Sequence, residues 1–190
     1  MIHSTKNALQ TAALALLSAV FFVVFFHLNL AFFSALEYRE GVNWVFLPAG
    51  FRVILVLVAG VPGSVGIMLG TWFIDRTALG SDLTGMVLAN GLVSGFTPWL
   101  VLKFSERWGV MSPQLQQLTS QQLLNFTLMY AAANALAHHT SWWLFKRADL
   151  NVWVDVWPMF VGDAIGALLM LYGFKFVLNK ALRKQQPIKS

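Results

Sequence analysis

The run from 8 to 33 is the first constraint on this chain. As a helix it would extend ~39 Å at 1.5 Å per residue, enough to cross a ~30 Å hydrocarbon layer. Comparable runs occupy 44–60, 83–102, 121–145 and 154–178. They are continuous, as in 12–26, and lack the alternating segments of about ten residues that a membrane β-barrel needs. Hydrophobic residues make up 57% of the chain and charged residues 11%, against about 25% charged in a soluble domain. The expected fold class is therefore all-α: a polytopic transmembrane helical bundle. At 190 residues the chain has room for one such domain, 1–178, followed by a basic tail, 179–190.

Composition excludes several function classes. The chain contains no cysteine, which removes disulfides and thiolate metal sites. Its net charge of +5 comes mostly from 175–190, so it reads as a topogenic tail and gives no reason to expect nucleic acid. Lys6 followed by an apolar stretch resembles the start of a signal peptide. The run to Phe33 exceeds the 7–15 residues of a signal core, so it is read as a retained first span.

Six spans are expected: 8–33, 44–60, 62–79, 83–102, 121–145 and 154–178, with Val61-Pro62-Gly63 as a tight turn between the second and third. The third is the weakest. Its apolar core, 65–74, is too short to cross alone, and extension to 79 brings in Asp75 and Arg76, which would snorkel to the interface. A re-entrant segment with five crossings is the rival. The charge count favours six crossings with both termini cytoplasmic. Lys6, Lys103, Arg107, Lys175, Lys180, Arg183, Lys184 and Lys189 then lie inside, while Arg39, Arg76, Lys146 and Arg147 lie outside. Trp44, Trp142, Trp143, Trp153 and Trp157 would form much of an outer aromatic belt. Such a chain belongs in a cell (inner) membrane as a multi-pass protein with the lipid bilayer around it. In the longest loop, Ser112-Pro113 suggests the start of a short interfacial helix over 113–118.

Gly66 and Gly70, Gly91 and Gly95, and Gly162 and Gly166 each stand four apart, and alanines at 131, 133, 135 and 137 extend the pattern to span five. Small residues at this spacing let helix backbones approach closely in lipid. Spans three to six should form the tight core, with phenylalanine-rich span one facing lipid more.

Against this apolar background two opposite charges stand alone: Arg52, in Leu47-Pro48-Ala49-Gly50-Phe51-Arg52, and Asp163, in Gly162-Asp163-Ala164-Ile165-Gly166. A lone charge at membrane depth costs a few kcal/mol or more unless it is compensated, about 2.5–3.5 on insertion scales. Counting from the span boundaries puts Arg52, Asn90, His138 and Asp163 each ~12 Å below the outer surface, and His27 at ~15 Å. Asn134 lies one turn from His138 on the same face, and Tyr130 continues it. The expected site is a small polar cavity open to the outside, with Arg52 and Asp163 as its poles. Arg52 would take a carboxylate or phosphate through its planar fork, Asp163 an amine or a proton, and His138 would respond to pH. The opposing reading is a structural Arg52–Asp163 pair that locks two spans, with His138 and His27 as hydrogen-bonded core histidines. Metal is not expected, because His138 and His139 point ~100° apart on one helix and zinc takes three or four ligands. No cofactor is expected. Ser94 and Ser141 lack any nucleophile setting, so the chain is not read as an enzyme.

Two stretches, Trp44-Val45-Phe46-Leu47-Pro48-Ala49-Gly50 with the following Pro62-Gly63, Gly66 and Gly70, and Trp157 with Gly162-Asp163-Ala164-Ile165-Gly166, resemble the first type of the membrane-associated sensor (MASE) family of bacterial integral membrane domains. The resemblance covers spans two, three and six. It implies a sensory role, since such domains precede kinase or cyclic-di-nucleotide output domains. The family has about eight spans, and this sequence reaches Ser190 without an output domain, so a signal would pass to a separate protein, with 175–190 as the contact. The plain alternative for that tail is topogenic charge with anionic lipid contact.

Three functions follow. The first is a sensory or accessory module that binds a small external ligand and acts on a partner. The second is a small-solute transporter or its substrate-binding subunit. The third is an assembly or targeting protein with a purely structural Arg–Asp pair.

Overall fold

The computed structural model describes residues 2–39, 41–79, 84–111, 119–147 and 150–185. Among them run the helices α1 (Ile2–Phe33), α2 (Leu47–Leu79), α3 (Thr84–Arg107), α4 (Ser120–Leu144) and α5 (Val152–Gln185). Long apolar sequence favours helix because each backbone N–H and C=O then finds its partner within its own segment. One departure from an all-helical chain lies between α1 and α2. A 3-10 turn (Ser34–Leu36) leads into the antiparallel pair β1 (Glu37–Arg39) and β2 (Val42–Asn43), turned at Gly41 with φ +79°. The segment expected to form a helix over 113–118, with its Ser112-Pro113 cap, lies outside the described residues. The helix after it starts from a capping box in which the Thr119 hydroxyl accepts from the Gln122 amide and the Gln122 side chain accepts from the Thr119 amide.

Helix α2 doubles back on itself. Gly60 has φ +58° and ψ −131°, a backbone state nearly closed to residues with a Cβ, and Pro62 follows. A Cβ on Gly63 would stand 2.5 Å from the Leu55 carbonyl oxygen and 3.3 Å from the Ala59 Cβ. Residues eight apart along a straight helix are ~12 Å apart. The contact therefore means that the arms 47–59 and 61–79 lie antiparallel. The turn begins one residue before the expected Val61-Pro62-Gly63, because Gly60 can take a positive φ that Val61 would resist.

Among the described residues, four helical segments are long and apolar enough to cross a membrane: Asn7–Leu36, Leu47–Thr77, Gly85–Arg107 and Val152–Val177. The chain is a helical bundle with the character of a membrane protein. By this measure the count stays below six for two reasons. The folded α2 is one segment, and α4, though long enough, carries Gln121, Gln122, Asn125, Asn134, His138 and His139.

Glycines mark the seams. Gly66 and Gly70 lie against Ala15, Ser18, Ala19 and Phe22 of α1, and Gly95 against the Ser64 carbonyl and Met68. Gly91 makes room for the Trp72 indole, whose Nε1 donates to the Leu88 carbonyl at 3.1 Å. On α5 the glycines Gly162 and Gly166 face the segment that joins β2 to α2. Cβ atoms on Gly162 and Gly166 would overlap the carbonyl oxygens of Asn43 and Phe46, so the strand-to-helix connection lies directly on α5. The Phe46 amide donates to the Gly162 carbonyl at 3.1 Å there. Span one is the most outward-facing of these segments, as expected: its window is 17% buried against 39–50% for the others, with Phe21 and Phe32 exposed and Phe22 turned into the core. That core includes Val53, Val56, Ile67, Leu102, Leu123 and Phe126.

Candidate functional site

A cavity of about 320 Å³ lies inside the bundle and reaches toward the β1–β2 end, where Glu37, Gly41 and Arg147 line it. Each wall follows from the fold. The first arm of α2 brings Arg52, the returning arm brings Thr71 and Asp75, and α3 brings Asn90 and Ser94. Helix α4 adds Asn134, His138 and Trp142, and α5 adds Asp163 and Met159. Counting along the sequence gives depth but no azimuth. The fold turns Arg52, Asn90, Asn134, His138 and Asp163 toward one space.

Arg52 is 6% exposed, with its guanidinium over the rings of Phe22 and Phe46 at 5.2 and 5.3 Å. These cation–π contacts offset part of the desolvation cost of a buried cation. They do not satisfy its N–H groups, and Nε is buried without an acceptor. Asp163 is 2% exposed, and its Oδ2 accepts from Asn134 Nδ2 at 2.6 Å. Among the described residues neither Arg52 nor Asp163 takes part in an ion pair within 4.0 Å, so the direct Arg52–Asp163 lock is not formed.

Other polar atoms share this condition. Asn134 Oδ1, His138 Nδ1, Thr71 Oγ1 and Asn43 Oδ1 are buried without a hydrogen-bond partner. Each such group costs about 1–3 kcal/mol, and native structures hold few without a reason. His138 is engaged only through Nε2, 3.2 Å from Ser94 Oγ. Tyr130, one turn from Asn134, is fully buried; its hydroxyl interacts with the Arg52 side chain but completes no well-formed hydrogen bond.

One wall is closed. Asn90 donates Nδ2 to Asp75 Oδ2 and accepts at Oδ1 from Trp142 Nε1, both at 2.8 Å. Arg147 lies over the Trp142 ring at 4.4 Å. Trp142 is thus a buried part of the site and not a member of an outer aromatic belt. Its indole N–H is committed to Asn90, whereas Trp44, Trp143, Trp153 and Trp157 are exposed.

A second charged contact sits near the mouth. Arg39 of β1 donates to Asp155 Oδ2 on α5, and that oxygen also accepts from the Asn151 amide at 2.9 Å. On the opposite side, Asn29 Oδ1 accepts from the Leu47 amide at 3.0 Å and so caps the first arm of α2.

His27 does not join the site. It is exposed and meets the Phe26 ring edge-on. The inward positions of α1 are Ala15, Ser18, Phe22 and Asn29, a stripe of three, four and seven, and His27 falls off that stripe. Among the described residues of α1, Asn29 and Ser18 are the polar ones that face inward, and this spacing is the signal available for them. Asp75, Trp142, Ser94 and Thr71 also line the site, and no local sequence pattern marks them as its members. Among the described residues no three of His, Cys, Asp and Glu gather as a metal-holding group.

No family model matches this chain, and neither the curated proteins nor the solved structures contain a match.

Proposed function

We propose that this protein is an integral membrane sensory or accessory module that binds a small polar ligand in the Arg52–Asp163 cavity and acts on a partner protein. One observation carries the reading. Among the described residues, a buried arginine without an ion-pair partner and several unpartnered polar atoms face one cavity that reaches one end of the bundle. A bundle stabilised only by its own contacts would gain by pairing or removing these groups. A binding site keeps them available. The resemblance of 44–50 with Pro62-Gly63, and of 157–166, to the first type of the membrane-associated sensor family supports a sensory role over an enzymatic one.

In this reading both arms of α2 and the helix α4 cross the membrane, giving six crossings with both termini cytoplasmic. The charge distribution supports that orientation, with Lys103, Arg107, Lys175 and Lys180 at one end and Arg39, Arg76, Lys146 and Arg147 at the other. The cavity mouth then faces the outside of the inner membrane. The basic segment 175–190 meets the cytoplasmic partner or anionic lipid. Cysteine labelling at Thr77 from outside and at Gln121 from inside tests the orientation. The opposite pattern overturns it.

The functional test is ligand-dependent stabilisation of the full chain in lipid nanodiscs. Small charged solutes should raise the melting temperature of the wild-type protein, and Arg52→Leu should lose that response while eluting as a folded protein. Uptake of the same solute into proteoliposomes would replace the sensor with a transporter. Recovery of folding and function by an Arg52→Leu/Asp163→Leu double variant, after loss in both single variants, would make the two charges a structural clasp.

A further inference from the structure

The two sides of the cavity lack opposite things, and that difference narrows the ligand. On the α2 side the deficit is in acceptors. Arg52 carries a fixed positive charge, aromatic rings cover it, and Nε has nothing to donate to. On the α4–α5 side the deficit around the Asn134–Asp163 pair is in donors, while the Tyr130 hydroxyl and His138 Nδ1 on α4 also lack hydrogen-bond partners. Asn134 spends its amide N–H on Asp163, which leaves Asn134 Oδ1 buried without a donor beside a carboxylate that accepts one bond from it. Asn90 adds nothing to either side, because Asp75 and Trp142 already use both ends of its amide.

A lone anion at Arg52 would leave Asp163 uncompensated, and a lone cation at Asp163 would do the same to Arg52. Burying an uncompensated charge is costly, so a ligand of either single sign satisfies only half of the site. A ligand carrying both charges satisfies both halves and adds no net charge to the buried space. The volume of about 320 Å³ is at the small end for ligand sites and equals roughly ten water volumes. It suits a molecule of a few to about a dozen heavy atoms. We infer that the ligand is a small zwitterion of the amino-acid class, its carboxylate on Arg52 and its ammonium between Asp163 and Asn134. This rests on the reading of the cavity as a ligand site.

The test uses the full chain in nanodiscs, with affinity read from thermal shifts or calorimetry. The probes are glycine, alanine and 4-aminobutyrate, each beside its N-acetyl and amide derivatives, with propionate, ethylamine and a polyol as controls. The free amino acids should bind, and blocking either end should weaken binding at least about tenfold, the effect expected for loss of a charge-assisted hydrogen bond. In Arg52→Leu the amide derivative should bind as well as the free amino acid. In Asp163→Asn the N-acetyl derivative should do so. If either variant fails to fold, the comparison of blocked and free probes on the wild-type protein still decides the matter. Equal binding of a blocked and a free probe, or preference for the polyol, overturns the zwitterion while the ligand site stands. Binding of none of these probes overturns both.

Discussion

Two charged pairs could join separate elements of this bundle, and the fold treats them differently. Arg39 and Asp155 meet directly near the cavity mouth, where the carboxylate also receives the Asn151 amide. Arg52 and Asp163 face the same deeper cavity and stay apart, one against two aromatic rings and the other against an asparagine. The first pair fastens β1 to α5 by direct contact. The second keeps opposite charges apart with bonding capacity unused. The contrast teaches that isolation of a charge in the sequence, which Arg52 and Asp163 share, does not predict that the two will pair.

The largest expected effect tests the fastened pair. Asp155→Ala removes one carboxylate from Arg39 and the acceptor of the Asn151 amide, and should cost about 3 kcal/mol in detergent unfolding titrations. A loss below about 1 kcal/mol would make the contact incidental. Next is Gly60→Ala, which belongs to neither pair. Its positive φ should make it cost about 1–3 kcal/mol in the same titration, without changing the energetic coupling within either pair. Double-mutant cycles then set the pairs side by side. Arg39→Ala with Asp155→Ala should show a coupling of about 1–2 kcal/mol, whereas Arg52→Leu with Asp163→Leu should stay near 0.5 kcal/mol or less in ligand-free protein. Equal couplings would erase the distinction. The smallest effect is at the far end of the bundle, where Lys175 Nζ donates to Ser120 Oγ at 3.1 Å on an exposed surface. Ser120→Ala should change stability by less than about 0.5 kcal/mol, the value of an exposed polar contact.

Helices and depth were readable from the sequence because both follow from one-dimensional rules. Apolar run length gives a helix, and rise per residue gives a level. Those rules brought Arg52, Asn90, His138, Asn134 and Asp163 to one layer, and all five line the cavity. His27 satisfied the depth rule and failed on azimuth, which is set by the stripe through Ser18, Phe22 and Asn29. Asp75 was discounted as a charge at a span end. It lies on the cavity only because the Gly60 turn brings the second arm of α2 back beside the first. Trp142 looked like its exposed neighbours, and its partner Asn90 is 52 residues away, beyond any local pattern. The β1–β2 hairpin, with strands of three and two residues, is too short to leave a periodic signature. The glycines of α5 fitted a helix-packing motif, but the strand-to-helix connection at Asn43 and Phe46 occupies the groove they make.

The Gly60 turn also gives the molecule a lever. Arg52 lies eight residues before it and Thr71 eleven after it, or ~12 and ~16 Å along their arms. Opening the arms by about 5° would separate these two cavity walls by roughly 1 Å, the scale on which helix shifts accompany switching. A ligand held between them would register as the angle of a pair of scissors whose pivot lies at the opposite end of the bundle.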